Sequence, residues 1–437
     1  MNNLRLLTGL LAAVLLGGGV RSYGQTVITL DEIFEIAEAN SAKLRPSLAA
    51  QTEADRAVSV ARAGRLPDID VSLSASYLGD GFTTARDLGD YRKAPIPHFG
   101  NGLSLNVTWP IYTGGAVKSA VELAELKSTA ARYAADFRRD NIRFRLAGFY
   151  LDIYKYVNLR KVVESNAAAA AKVLDEMRVR YEQGTVLHND ITRYELLLSN
   201  LEFQLVGIND MLDILNANLV TTAGLPEGTV VVPDSAILAR SMPVENEEWW
   251  QREAEDNSPS LSLARSGVDM SRKMEDIVRS ERLPAIGLRA GRTIDGPILV
   301  EVPPINRNLS YWYVGVGVSF KLSSLFKGNR TMARSRAATQ KARDELAVAC
   351  EDVSLAVRAD YIRYLEACEE LKTRMKGVEL AERNYRTVST RYSADMALIT
   401  DMLDAANAKL DAEKQLANAR INIVYYYYKL LFTTGKI

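Results

Sequence analysis

The strongest constraint on this chain is that much of it is written twice. RYEQGTVLHNDITRY, beginning at Arg180, returns as RYSADMALITDMLDA at residues 391 to 405. Each copy has an Arg-Tyr pair, a short uneven segment, and an Asp nine residues after the Tyr. Tyr150 and Tyr361, Asp190 and Asp401, Thr222 and Thr433, and Gly224 and Gly435 keep one offset of 211 residues. Upstream, Asn40-Ser41 precedes Arg65-Leu66-Pro67 by the same 25 residues that separate Asn257-Ser258 from Arg282-Leu283-Pro284. A long fixed period points to a duplicated unit. We therefore expect a single domain over 25–437 made of two structural repeats, about 25–235 and 243–437.

Each half reads as helix, strand, strand, long helix, turn, helix. Thr29-Leu30-Asp31-Glu32 has the form of a capping box. The helical pattern after it is interrupted at Pro46, runs to Arg65 and is stopped by Leu66-Pro67. Clean alternation follows. Ile69, Val71, Leu73, Ala75 and Tyr77 lie between Asp68, Asp70 and Ser72, Ser74, Ser76, and Leu103, Leu105, Val107, Trp109 and Ile111 alternate with Ser104, Asn106 and Thr108. The second half repeats the pattern with Ile286, Leu288 and Ala290, and with Val314, Val316, Val318 and Phe320. Period-2 patterning predicts strands at about 68–78, 103–112, 284–292 and 311–322. Two readings fit: a half-buried sheet over a soluble core, or a membrane barrel with its apolar face outward. Tyr77, Trp109, Tyr112, Trp312 and Tyr313 near the strand ends suit interfacial girdles, and the polar connections 79–102 and 292–310 suit external loops. Four strands cannot close a barrel, and an open edge in lipid would leave backbone groups unpaired. A barrel reading therefore requires several chains.

From Ala116 to Tyr181 there is no Pro and only Gly148, and from Thr331 to Arg391 no Pro and only Gly377. An uninterrupted helix of the first length would extend about 100 Å, beyond globular norms and suited to coiled coil. On the return segment, Ile191, Tyr194, Leu198, Leu201, Leu205, Ile208, Leu212, Leu215 and Leu219 step by three and four, an unbroken heptad seam. The repeated stretch thus marks the tip of two long helical hairpins. Gln183-Gly184-Thr185 and Ala394-Asp395 are the reversals, and Asp190 and Asp401 stand where they can stabilise the start of the returning helix.

Charge is balanced, with 54 basic and 54 acidic residues, which gives no reason to expect a nucleic-acid partner. No apolar run past the N-terminus approaches the roughly 18 residues of a membrane helix. MNNLR followed by LLTGLLAAVLLGGGV and Ser22-Tyr23-Gly24 reads as a cleavable secretory signal over 1–24. Cys350 and Cys368, if on one helix, stand roughly 27 Å apart and read as packing residues. With His98 and His188 the only histidines and no HExxH, nucleophile elbow or Gly-rich phosphate loop, an enzyme is not expected. Neither a cofactor nor a bound metal is expected. His188 beside a tip turn reads as a solvated helix-start residue, and His98 lies in a polar loop without a sequence-near partner. The run Tyr425 to Lys429 reads as packing on neighbouring helices.

Taken together, the chain resembles the TolC-type outer membrane factors. The opening ITLDEIFEIAEANS, the strand exit WPIYTGG at 109–115, both tip segments and the doubled element order carry the resemblance. It implies a mainly α fold with a membrane β part: long antiparallel coiled coils forming an α-barrel, and four strands per chain contributing to a twelve-stranded trimeric β-barrel. It further implies a homotrimer in the outer membrane of a Gram-negative bacterium, with a long periplasmic extension. Such a trimer is the exit duct of a tripartite efflux or type I secretion system, served by a periplasmic adaptor protein and, through it, an inner-membrane pump. By position, the adaptor would meet Gly184, Thr185, Val186 and Leu187, and Asp395, Met396, Ala397 and Leu398. Tyr181, Tyr392 and Asp190 would pack the tips, and Asp401 with Asp404 would form an acidic ring at the periplasmic entrance. The alternative for Asp401 is a helix-start role alone. The second tip departs from the family in having Asp395 where Gly is usual and Ala397 where a basic residue is common, and FKLSSLFKGN lacks the Pro and paired Gly of WPIYTGG. The rival overall reading is an extended periplasmic coiled-coil scaffold without a channel.

Overall fold

The computed structural model describes residues 26–239, 242, 245–301 and 303–437; the expected signal segment, 1–24, lies outside them. The chain divides into two compact units, one of residues 49–134 and 260–349, the other of residues up to 48, 135–259 and 350–437.

In chain order the elements are β1 (Thr26–Ile28), α1 (Leu30–Asn40), α2 (Arg45–Ala63), β2 (Asp68–Tyr77), β3 (Gly81–Thr83), β4 (Arg92–Ala94), β5 (Phe99–Tyr112), α3 (Ala116–Glu182), α4 (His188–Ala223), β6 (Val231–Pro233), α5 (Ala236–Ala239), α6 (Glu247–Asn257), α7 (Pro259–Ser280), β7 (Ala285–Gly296), β8 (Leu309–Ser319), α8 (Ser324–Ser393) and α9 (Ile399–Thr433). The helical break after α1 falls at residues 41–44, before Pro46. Pro46 instead sits in the first turn of α2, where its missing N–H is harmless. The capping box forms: Glu32 N–H donates to Thr29 Oγ1 at 3.3 Å, and Thr29 N–H to Glu32 Oε2 at 2.8 Å.

The first unit carries one antiparallel sheet in the order β2-β5-β7-β8. Its register puts Val71, Leu105, Arg292 and Trp312 in one cross-strand row, and Ile69, Val107, Ala290 and Val314 in the next row on that face. Asp70, Asn106, Gly291 and Tyr313 form a row on the other face. The alternation read from the sequence is therefore a single apolar face across four strands. Tyr313 does not join the girdle expected of it. Its ring lies over Gly291, where an added Cβ would stand 2.8–2.9 Å from ring atoms, and its Oη donates to Asn106 Oδ1 at 3.4 Å. One residue along a strand reverses the face, so Trp312 and Tyr313 point opposite ways. Tyr112 reaches the apolar face through an irregularity at Pro110–Tyr112 that sets it opposite Ile286. The polar connection 79–102 contains the small hairpin β3–β4. His98 has partners there: it stacks on Tyr77 with centroids 5.3 Å apart and its Nδ1 lies 2.9 Å from the Leu78 carbonyl.

The second unit is helical apart from the parallel pair β1–β6. One core packs Leu30, Ile33, Phe34 and Ala37 of α1 against Ile142, Leu146 and Tyr150 of α3, Leu219 of α4 and Val424 of α9. Another packs Trp250 and Ala254 of α6 against Val357 and Tyr364 of α8 and Leu430 of α9. The Tyr425 to Lys429 run is packing: Tyr428 belongs to the first core, and Tyr427 meets the rings of Trp250 and Tyr364. The repeated Asn-Ser and Thr-x-Gly motifs meet in both halves. Gly224 (φ +75°) closes α4 so near α1 that a Cβ would lie 2.7 Å from the Asn40 carbonyl oxygen, and Gly435 (φ +72°) would place one 2.5 Å from that of Asn257. Ser41 Oγ donates to the Thr222 carbonyl at 2.8 Å. Only Gly satisfies both the left-handed backbone and the close approach.

Asp140 of α3 is buried beside Arg139, whose Nε lies 3.8 Å away. Burial pushes its carboxyl up to about 6, against the pull of Arg139 and Arg143 and with Asp136 and Glu38 adding to the rise. The folded chain then holds this proton more tightly than the unfolded chain, so stability falls as pH rises from about 4 to 6 and is level above. Asp140→Asn is expected to stabilise the protein at pH 7.5 by up to about 3 kcal/mol and to do nothing near pH 4. Thermal melts at both pH values check this, and an equal gain at both would reject it.

Candidate functional site at the hairpin tips

The tips belong to the helical unit. Behind them, Ile191, Tyr194, Leu201, Ile208, Leu215 and Leu219 of the heptad seam are buried, and Leu198, Leu205 and Leu212 are half-buried. Tyr194 and Ile191 share a core with Met177, Val186, Ile399 and Met402, against which Tyr385 and Tyr392 pack. This cluster joins both hairpins. Burial pushes the Tyr194 phenol well above its ordinary range, and the nearby Tyr385 adds to the rise.

Both reversals use a left-handed residue. Gly184 has φ +75° and Asp395 φ +58°. Asp395 thus adopts the conformation that Gly would take, and its carboxylate pairs with Arg180 of the other hairpin. Asp is among the few residues that visit this region. The Arg180 guanidinium also lies 5.8 Å above the centre of the Tyr392 ring. The backbone closes each turn alike: Thr185 N–H donates to the Arg180 carbonyl at 3.0 Å, Met396 N–H to that of Arg391 at 2.8 Å. Arg180 was not singled out by sequence reasoning. Its signal was the repeated Arg-Tyr pair, but the partner is 215 residues away.

The residues expected at the tips divide by exposure. Leu187 is 70% exposed, Met396 65% and Leu398 70%, while Val186 is 8% exposed and turned into the core. Gly184, Thr185 and Asp395 are exposed and Ala397 is half-buried. Tyr392 packs, half-buried, against the cluster. Its Oη is buried with no hydrogen-bond partner among the described residues, and burial, then the charge of Asp190, raises its pKa. Tyr181 remains 48% exposed, its ring centroid 5.7 Å from that of His188. It contributes little packing.

Asp401 and Asp404 are both exposed, at i and i+3 on one face of α9. Asp401 does serve the helix start: Leu398 N–H donates to its Oδ2 at 3.2 Å. Asp404 has neither a hydrogen bond nor an ion pair among the described residues. Among those residues no cluster of His, Cys, Asp or Glu could hold a metal, and no helix is long and apolar enough to cross a membrane.

The family model described as "Outer membrane efflux protein" matches residues 33–225 and 250–435, one stretch in each half. Outer membrane protein TolC of Vibrio cholerae is 24% identical over 416 residues, covering 93% of this chain and 91% of that protein. Among solved structures, the outer membrane protein VceC of Vibrio cholerae superposes with TM-score 0.77 at 16% identity, covering 93% of this chain and 96% of that one. CusC, whose structure is described in terms of transmembrane channel formation, superposes with TM-score 0.79 at 12% identity, covering 96% and 94%. These likenesses show the fold: α-helical hairpins of an α-barrel with strands of a β-barrel. They give no support to a scaffold lacking a channel. With the family model matching both halves, the chain belongs to the outer membrane efflux protein family and is an exit duct of the outer membrane for efflux and secretion systems.

Proposed function

We propose that three copies of this chain, each exported by its 1–24 leader and built from a duplicated half, close one duct whose periplasmic entrance is ringed by Asp401 and Asp404. The open edges of β2 and β8 support the trimer. Each needs a partner strand in lipid, and three four-stranded sheets make a barrel of the usual even strand number. The exposed apolar residues Leu187, Met396 and Leu398 suit docking of a periplasmic adaptor, through which an inner-membrane pump delivers substrate. Val186 does not contribute to that surface. Gly184, Thr185, Asp395 and Ala397 shape it.

The observation that carries the entrance reading is Asp404. It lies one turn inside α9, exposed and unpaired, where the helix start does not need it. Three chains would set six carboxylates around one opening, a field that concentrates cations and repels anions. In planar bilayers the purified protein is expected to give stable, small, cation-selective steps. Asp401→Asn with Asp404→Asn should remove most of that preference and shift the reversal potential in a salt gradient toward zero. Unchanged selectivity in the double variant would place the ion filter elsewhere. Failure of well-folded wild type to insert would reject the duct itself.

A further inference from the structure

At its helix end the sheet opens a groove of about 510 Å³, lined by Arg65 after α2, by Trp109, Ile111 and Tyr112 of β5, and by Val117 and Lys118 of α3. Among the described residues no acidic side chain lines it. The Trp109 Nε1 donates to the Arg65 carbonyl at 2.9 Å, which holds Arg65 beside the indole. Arg65 is exposed and has no side-chain hydrogen bond or ion pair among the described residues. Asp68, the nearest acid along the chain, belongs to the opposite face of β2. The Lys118 side chain is 78% exposed and lies 3.9 Å from Glu122, but Lys273 holds that carboxylate at 2.8 Å. The groove therefore presents two cations whose charge its own walls do not answer.

The groove lies where the apolar face of the sheet stops. Tyr112, Ile286 and Val318 form the last paired row on that face, one step past Trp109, Leu288 and Val316. Exposed apolar residues continue only through the connections to the helices, with Leu66 and Leu283 before the strands and Phe320, Leu322, Leu325 and Phe326 after β8. Beyond them the next exposed large apolar residue on α3 is Phe137 and on α8 Val348, each roughly 30 Å along its helix. On α2 and α7 the nearest are single residues, Val60 and Met274. An aromatic belt at the end of an apolar strand face, flanked by Lys and Arg, marks a membrane–water interface. In the duct reading, on which this inference rests, the helices are periplasmic, so this end of the sheet meets the periplasmic leaflet. Arg65 and Lys118 share one groove with Trp109 and Tyr112, so neither has to reach along the sheet to meet a headgroup there.

We propose that this groove binds an anionic phospholipid of the periplasmic leaflet, its phosphate held by Arg65 and Lys118 and its glycerol end packed against Trp109 and Tyr112. Arg offers a planar fork that matches phosphate, and Lys a compact point charge. A zwitterionic headgroup fits less well, because its ammonium would find no carboxylate in the wall and would meet two like charges. A free phosphate ion would satisfy the cations but leave Ile111, Val117 and the aromatic rings in water, whereas a lipid covers them. Arg289 supplies an internal control. It lies on the opposite face of β7, its guanidinium along Gly317, where an added Cβ would stand 3.8 Å from Cζ.

The test uses the purified full-length protein in detergent, incubated with phosphatidylglycerol or with phosphatidylethanolamine of the same acyl chains, with retained lipid counted by native mass spectrometry. Wild type should retain phosphatidylglycerol best. Arg65→Gln and Lys118→Gln should each lower that retention about fivefold and the double variant about twenty-fivefold, the loss of one and of two interfacial cations. Trp109→Phe, which keeps a ring but frees the Arg65 carbonyl, should lower it severalfold, and Arg289→Gln not at all. Millimolar inorganic phosphate should not displace the lipid. Equal retention by wild type and the double variant would overturn the site, as would an equal loss in Arg289→Gln, displacement by phosphate, or no preference for the anionic lipid. Both cations are exposed, so the variants should keep the fold, and single-channel conductance of the same preparations checks this. A normal channel without lipid preference defeats this inference alone, whereas a wild-type protein that never conducts defeats the duct.

Discussion

Truncation of Tyr194 to Ala is expected to destabilise the helical unit by about 3–5 kcal/mol, the range for emptying a large buried aromatic site. Tyr194 is almost fully buried and belongs to the cluster that joins both hairpins, against which Tyr385 packs. The cavity would open in the cluster behind the tips that also holds Met177 and Met402. Local opening follows the loss of buried apolar contacts, so amide exchange at the two reversals should accelerate before exchange in the Tyr150 core. Tyr194→Phe keeps the ring and loses only the hydroxyl, for about 1 kcal/mol. Denaturation of both variants, followed by hydrogen exchange, checks the assignment. If Tyr194→Ala and Tyr194→Phe lose equal stability, the hydroxyl and not packing governs the site.

A second large effect is expected at Asp360, a carboxylate buried on α8 between two partners on α9. Lys429 Nζ lies 3.1 Å from its Oδ1, and Thr433 Oγ1 donates to its Oδ2 at 2.8 Å. Asp360→Ala removes the carboxylate that pairs with Lys429 and should cost about 3 kcal/mol. That is the low end of the range for breaking a buried pair, because the Lys429 side chain keeps 29% of its exposure and can find water. Replacing both, Asp360→Leu with Lys429→Met, should recover most of the loss, since an apolar pair of similar volume needs no desolvation. Thermal melts of Asp360→Leu, Lys429→Met and the double variant measure the cycle. Independent, additive losses would show that the two side chains do not act as a pair.

The candidate site was partly legible. The tips could be placed because a reversal between two long Pro-free segments, flanked by the same Arg-Tyr and Asp, leaves a local signature. Asp401 and Asp404 could be named from the resemblance of the second tip to the family, and their i, i+3 spacing puts them on one helical face. The Arg180–Asp395 pair could not be read, since it joins different hairpins and depends on how the helices lie side by side. Nor could the inward turn of Val186, which follows from the path of the chain after Gly184. Tyr313 shows the same limit in a strand. Proximity in sequence to Trp312 suggested a shared girdle, yet one residue of pleat sends it to the opposite face.

What the sequence determined by itself is what local physics encodes. Period-2 alternation specified the strands and their apolar face, the absence of Pro the long helices, and Thr29 with Glu32 the first cap, because each depends on neighbours within a few residues. The doubled order of elements, equally local in origin, was sufficient to point to the family. Only the tertiary structure decided which distant groups meet. It brought Asn40 to Gly224 and Asn257 to Gly435 at backbone contact, buried Asp140 so that its proton is held to about pH 6, and sent Tyr313 to the face opposite Trp312, over Gly291. Those outcomes depend on strand register and on helix ends meeting across more than a hundred residues of chain, and no local pattern specifies either.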